Sequence, residues 1–135
     1  MAFIEWKDKF SVGIDICDNQ HKGLIEILNN LHLNMKQGEA NKIIGATIDK
    51  LILYTKEHFK TEEELFEEYE YPDKGSHKDE HDDFINKVSD FKSDFESGQI
   101  LISVNLLQFL KTWLFDHISV SDKKYGQFLN SKSVF

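Results

Sequence analysis

A chain of 135 residues, 40% hydrophobic and 30% charged, has the balance of a single globular domain with one sizeable core. Its formal net charge of −8 excludes the basic patch that nucleic acid and anionic membrane surfaces demand. No apolar run reaches the roughly eighteen residues of a membrane span, and the start MAFIEWKDKF lacks the apolar stretch of a secretory signal, so no membrane insertion is expected. Cys17 is the sole cysteine, which rules out an internal disulfide and makes a cytoplasmic location the expectation. The 11 phenylalanines point to a thick, dry core.

The first 16 residues, with Phe3, Ile4, Trp6, Phe10, Val12, Ile14 and Ile16, are too apolar for a free tail and predict an arm packed on the rest. Helical spacing follows. A first helix carries His21, Leu24, Ile25, Leu28, Leu31 and Met35 on one face, with Gly38 as its stop. A second keeps Ile44, Ile48, Leu51, Ile52, Thr55, His58, Phe59, Glu62, Leu65, Phe66 and Tyr69 together, and ends at the turn-forming run Tyr71-Pro72-Asp73-Lys74-Gly75. Ser76 is the predicted N-cap of a third, with His77, His81, Phe84, Ile85, Val88, Phe91 and Phe95 up to Gly98. The fourth presents Leu106, Leu107, Leu110, Trp113, Leu114 and His117, and Tyr125, Phe128 and Leu129 suggest a short docked helical extension. Helices of roughly 20 to 30 residues with short loops predict an all-α, up-down-up-down antiparallel four-helix bundle. The expected organisation is one domain over 1–135: an arm over 1–17, the bundle over about 18–120 and the extension over about 121–135.

Five of the six histidines stand in a pattern that acidic side chains complete: His21; His58 and Glu62; His77 and His81; His117 and Asp122. A spacing of four puts both members of a doublet on one helix face. Antiparallel packing of successive helices brings all four sets to the same end of the bundle. Five clustered imidazoles and two carboxylates without a metal would be a costly core, and imidazole with carboxylate suits iron, zinc or copper better than calcium or magnesium. His117 and Asp122 are the awkward pair. Five residues apart, they lie about 140° around a regular helix, so the helix must widen or break across the weak helix formers Ile118-Ser119-Val120-Ser121. His32, about 16 Å along the axis from His21, reads as a mid-core or boundary residue, and Cys17 as a small packed or surface one.

The motifs Asp18-Asn19-Gln20-His21, His58-Phe59-Lys60-Thr61-Glu62-Glu63, His77-Lys78-Asp79-Glu80-His81 and His117-Ile118-Ser119-Val120-Ser121-Asp122 resemble those of the hemerythrins, and more closely the single-domain bacteriohemerythrins. Trp6, Trp113-Leu114 and Lys124-Tyr125 fit the same resemblance, which covers essentially the whole chain. It implies two iron ions with an oxo/hydroxo bridge and no haem. His77, His81 and His117 would bind one iron, His21 and His58 the other, and Glu62 and Asp122 would bridge them. Counting ligands on that allocation leaves one position at the His21/His58 iron for dioxygen.

The residues next to the ligands in sequence, Leu24, Ile25, Phe59, Trp113, Leu114 and Ile118, are the expected lining of an oxygen pocket. Gln20 and Glu63 are the expected acceptors that fix imidazole tautomers. The resemblance implies reversible dioxygen binding, for transport, storage or delivery to an oxygen-consuming enzyme, by a protein that is not itself an enzyme, and the long polar faces, with Lys56-Glu57 and Glu67-Glu68 among them, suggest a monomer. Two readings stay open beside it: a free-standing oxygen or redox sensor, and a di-iron enzyme of peroxidase or nitric-oxide reductase type.

Overall fold

The computed structural model describes residues 4–36, 40–98 and 102–135. Four long helical segments form an all-α bundle: α1 over Asp15–Lys36, α2 over Ala40–Glu68, α3 over Lys74–Glu96 and α4 over Ile102–Asp116. A widened π-helical turn, His117–Asp122, follows α4 and leads into α5 over Lys123–Ser131. Cross-helix pairs run in opposite directions. Gln20 meets Thr61 while Gly23 abuts Tyr54, Glu63 meets His81 while Asp49 pairs with Lys92, and Phe84 meets Trp113 while Phe91 meets Phe109, so successive helices are antiparallel.

The apolar stripes face inward. Leu24, Leu28 and Leu31 of α1, Ile44, Ile48, Leu51 and Phe66 of α2, Phe84, Val88 and Phe91 of α3, and Leu106, Leu107, Leu110 and Leu114 of α4 are all buried. The side chain of Met35, and Gly38 with its predicted helix stop, lie outside what is described.

The α2–α3 connection departs from expectation. The turn falls at Tyr69–Asp73, α3 begins at Lys74, and Ser76 lies inside its first turn instead of capping it. Asp73 takes the cap position, its carbonyl accepting from His77 N at 3.0 Å. The reason lies at the end of α2. Glu70 adopts φ 55, and the amide of Tyr71 returns to Phe66 O at 2.9 Å, a left-handed helix stop closed by the Phe66 and Tyr71 rings 4.9 Å apart. This stop and the fixed φ of Pro72 turn the chain early enough for α3 to start three residues sooner.

The arm is docked by polar side chains as well as apolar ones. Ile4, Phe10, Val12 and Ile14 are buried, and a single 3-10 turn spans Asp8–Phe10. Asn29 holds both the amide and the carbonyl of Ile4 at 2.8 Å. Asp18 receives Ser11 Oγ and Val12 N, and Asn130 donates to Gly13 O. Gly126 lets α5 press against this arm, because a Cβ there would run into the carbonyl of Val12. Ile16 departs from the expected packing: it is 51% exposed on the outer face of α1. Phe3 lies outside the described residues. Tyr125 and Leu129 of α5 are fully buried, with Phe128 packed beside them, so the extension is part of the core.

Candidate metal centre

His21 sits in the second turn of α1, His58 and Glu62 in the later part of α2, and His77 and His81 in the first turns of α3. His117 and Asp122 are the first and last residues of the π turn. The bundle brings all seven to one end, each no more than 3% exposed. The π turn solves the five-residue problem. Its repeat of about five residues returns Asp122 to the face of His117, and His117 Nε2 stands 2.9 Å from Asp122 Oδ1.

The two carboxylates divide their oxygens between two imidazole sets. Glu62 Oε1 faces His81 Nε2 at 2.9 Å and His77 Nε2 at 3.6 Å, while its Oε2 faces His58 Nε2 at 3.4 Å and His21 Nε2 at 3.7 Å. Asp122 Oδ1 faces His117 and His77 at 2.9 and 3.0 Å, while Oδ2 faces His21 at 2.9 Å. Two clusters result, Glu62-His77-His81-His117-Asp122 and His21-His58-Glu62-Asp122, joined only by the shared carboxylates.

Despite these distances, eight buried side-chain atoms among the described residues make no hydrogen bond: Nδ1 and Nε2 of His21, Nε2 of His77, His81 and His117, Glu62 Oε1, and both oxygens of Asp122. A protein interior seldom tolerates one such orphan, let alone a cluster. Ligand atoms about 2.1 Å from one first-row metal ion, at right angles to each other, are about 3.0 Å apart. Four of the seven observed spacings, at 2.9–3.0 Å, match that edge, and the other three are 3.4–3.7 Å. The donor set therefore fits metal ions and is poorly served by hydrogen bonding alone.

The charge pattern agrees. Burial works against protonation of His21, His77 and His117, but Asp122 and Glu62 outweigh it and raise their pKa values to about 9, 8 and 10. His58 goes the other way, lowered to about 4 because burial dominates. Burial would raise Glu62 and Asp122, yet the surrounding imidazoles hold both well below the ordinary carboxylate range; for Asp122 they also overcome repulsion from Glu62.

A second ring of contacts orients the imidazoles. Gln20 Oε1 accepts from His58 Nδ1 at 2.5 Å, its amide fixed by donation to Thr61 Oγ1 at 3.2 Å. Glu63 Oε2 accepts from His81 Nδ1 at 3.1 Å. Two further contacts were missed. Glu80 Oε1 accepts from His117 Nδ1 at 3.1 Å and from Ser121 Oγ at 2.7 Å, and the Tyr125 hydroxyl donates to Glu62 Oε2 in a short, fully buried bond. Glu80 borders the ligand-type residue His81 as Glu63 borders Glu62, but each reaches an imidazole of another segment, so adjacency alone could not name the partner. Phe59 stacks flat on His81 with centroids 3.8 Å apart, and Trp113 lies on His117 at 4.2 Å.

Below the histidine layer lies a small apolar cavity lined by Leu24, Leu28, Leu51, Phe84, Leu110, Trp113 and Leu114. Of the residues expected to line a pocket, Leu24, Trp113 and Leu114 do so. Ile25, Phe59 and Ile118 are buried but do not line it. Phe59 is turned onto His81, and Ile118 follows the π turn, whose widened path carries it away from the regular helical stripe. Leu28, Leu51, Phe84 and Leu110 belong to the lining although they are not adjacent to any ligand in sequence. His32 is only half-buried and edges a different surface hollow beside Val104 and Leu107, and Cys17 is fully buried outside both ligand clusters.

A family model described as the hemerythrin HHE cation-binding domain matches residues 12–129. The chain belongs to the hemerythrin family. It is 40% identical to a bacteriohemerythrin of Stenotrophomonas maltophilia over 126 residues, 93% of this chain and 81% of the relative. It is 33% identical to the Methylococcus capsulatus bacteriohemerythrin over 97% of this chain and the whole of that protein. A crystal structure of wild-type hemerythrin superposes with a TM-score of 0.85 at 32% identity, covering 93% of this chain and 97% of that one. Hemerythrin membership implies non-haem iron, and the buried His/Glu/Asp clusters fit a metal site. Among the described residues, no helix is long and apolar enough to cross a membrane.

Proposed function

We propose that this hemerythrin binds dioxygen reversibly at two non-haem iron ions, as a carrier for transport, storage or delivery to an oxygen-consuming enzyme. The observation that carries the reading is the division of the Glu62 and Asp122 oxygens between a three-histidine and a two-histidine set. On that division His77, His81 and His117 would hold one iron and His21 and His58 the other, with Glu62, Asp122 and an oxo or hydroxo group shared between them. When bound, the iron pair supplies the two electrons that reversible dioxygen binding takes.

The rest of the work falls to the protein. Glu63, Glu80 and Gln20 keep protons on Nδ1 of His81, His117 and His58, so that each Nε2 lone pair points into the centre. Tyr125 holds the Oε2 side of Glu62 in place. Leu24, Leu28, Leu110 and Leu114 keep the small adjoining cavity apolar, so that their walls offer water no hydrogen-bond partner. The free Cys17 and the exposed apolar residues scattered singly among those described support a cytoplasmic monomer.

Iron loading under argon, followed by cycles of oxygen and degassing, tests the reading. The expected result is two irons per chain and an absorption spectrum that changes with oxygen and returns on degassing without consuming reductant. A single zinc per chain, or continuous consumption of reductant, would overturn it.

A further inference from the structure

The outer contacts of the imidazoles are unequal in charge. On the three-histidine side, two of the three imidazoles donate to carboxylates: His81 to Glu63 and His117 to Glu80, each at 3.1 Å. On the two-histidine side there is no carboxylate. His58 donates to the neutral amide oxygen of Gln20 at 2.5 Å, and Nδ1 of His21 is buried with no hydrogen-bond partner. An anion accepting from Nδ1–H pulls the proton outward and raises electron density at Nε2. A neutral amide does so less, and an absent acceptor not at all.

We infer that Glu63 and Glu80 make the three-histidine half the tighter and more electron-rich metal holder, while Gln20 and the partnerless His21 leave the two-histidine half the weaker one. The inference rests on the two-metal reading above. Glu63, Glu80 and Gln20 are positioning residues: each acts through an imidazole and lies outside the ligand clusters. Their effect is separable from the plain count of three imidazoles against two, because exchanging a carboxylate for an amide leaves that count unchanged. Local geometry also permits the reverse exchange. Glu at position 20 would keep an oxygen toward His58, and the Thr61 hydroxyl could turn to donate to the other, giving up its present bond to Glu57 O at 3.1 Å.

The experiment compares the wild type with Glu63→Gln, Glu80→Gln and Gln20→Glu, each loaded with ferrous iron under argon. Chelator competition gives the two stepwise iron affinities. Mediated electrochemistry gives the potentials of two one-electron oxidations, each electron passing from a ferrous ion to the electrode. Glu63→Gln and Glu80→Gln should each weaken the tighter step by roughly ten- to a hundredfold and raise the lower potential. Gln20→Glu should do the opposite to the other half, tightening the weaker step and lowering the higher potential.

A role in packing alone would lower thermal stability without moving the two potentials in opposite directions. Glu63→Asp and Glu80→Asp, which restore charge, should recover the lower potential even if the fold is somewhat loosened. Two irons per chain with no shift, or with all variants shifting both steps alike, would overturn this inference and leave the oxygen-binding reading standing. Fewer than two irons in the wild type would overturn both.

Discussion

Loading the metal-free protein with two divalent ions at pH 7 should release about three protons per chain from its imidazoles, beyond the one that a shared hydroxo group formed from water would add. His21, His77 and His117 carry pKa values of about 9, 8 and 10 in the metal-free fold, all raised by Asp122 and Glu62 against the cost of burial. At pH 7 each is therefore about nine-tenths protonated or more. His58, lowered to about 4 by burial, is already neutral. A metal ligand must offer a lone pair, so every protonated imidazole has to lose its proton on binding. The count should fall to about one proton at pH 9.5, where only His117 stays mostly charged. Calorimetric titration in buffers of different ionisation enthalpy measures the number directly. Release of less than one proton at pH 7, or an unchanged count at pH 9.5, would refute the argument that the carboxylates hold these imidazoles charged.

The same shifts fix a sign for stability. Folded values above the unfolded value near 6.5 give stabilisation that is fully present below that pH and lost as pH rises through 8 to 10. The melting temperature of the metal-free protein should therefore drop across that window.

Other consequences follow from single contacts. Tyr125→Phe removes the buried donor to Glu62 and should cost the metal-free protein about 1.5–3 kcal/mol, with a smaller loss once metal occupies the carboxylate; equal losses in both states would contradict this. Gly126→Ala drives a methyl group into the Val12 carbonyl, a backbone atom, and should cost about 1–3 kcal/mol while exposing the arm to proteolysis. A wild-type melting temperature and an uncut arm would show that α5 can back away. Leu114→Ser should let water into the cavity and speed spontaneous oxidation in air several-fold, with an unchanged rate removing Leu114 from the oxygen route.

The bundle was legible because its signal is redundant: each helix repeats its apolar stripe over several turns, so one stray residue such as Ile16 alters nothing. The seven inward residues were legible for a related reason, since spacing assigns a face and chain direction assigns an end. What escaped were facts of register between helices. Glu80 reaches His117 and Tyr125 reaches Glu62 across distances in sequence of 37 and 63 residues, which no local pattern encodes. The cavity was missed in part because its walls reach two turns from the ligand-type residues: Leu28, Leu51 and Leu110 each lie seven residues from one. Ser76 misled because cap propensity is weak beside a proline turn and a left-handed Glu70 that had already ended α2.

The π turn shows how the site shapes the fold around it. A widened turn has poorer hydrogen-bond geometry than the α-helix it replaces and is kept mainly where function needs it. In a regular helix Asp122 would swing about 140° from His117, and both of its oxygens would leave the centre. The second metal set would then lose its second carboxylate, since His21 and His58 contribute none of their own. The same widening lets Ser121 donate to the Glu80 oxygen that orients His117, and it leads directly into the helix bearing Tyr125. One extra residue in one turn thus positions an inner carboxylate, tethers an outer one and delivers the donor for Glu62. A structural role for His117–Asp122 apart from metal would explain none of these three arrangements together.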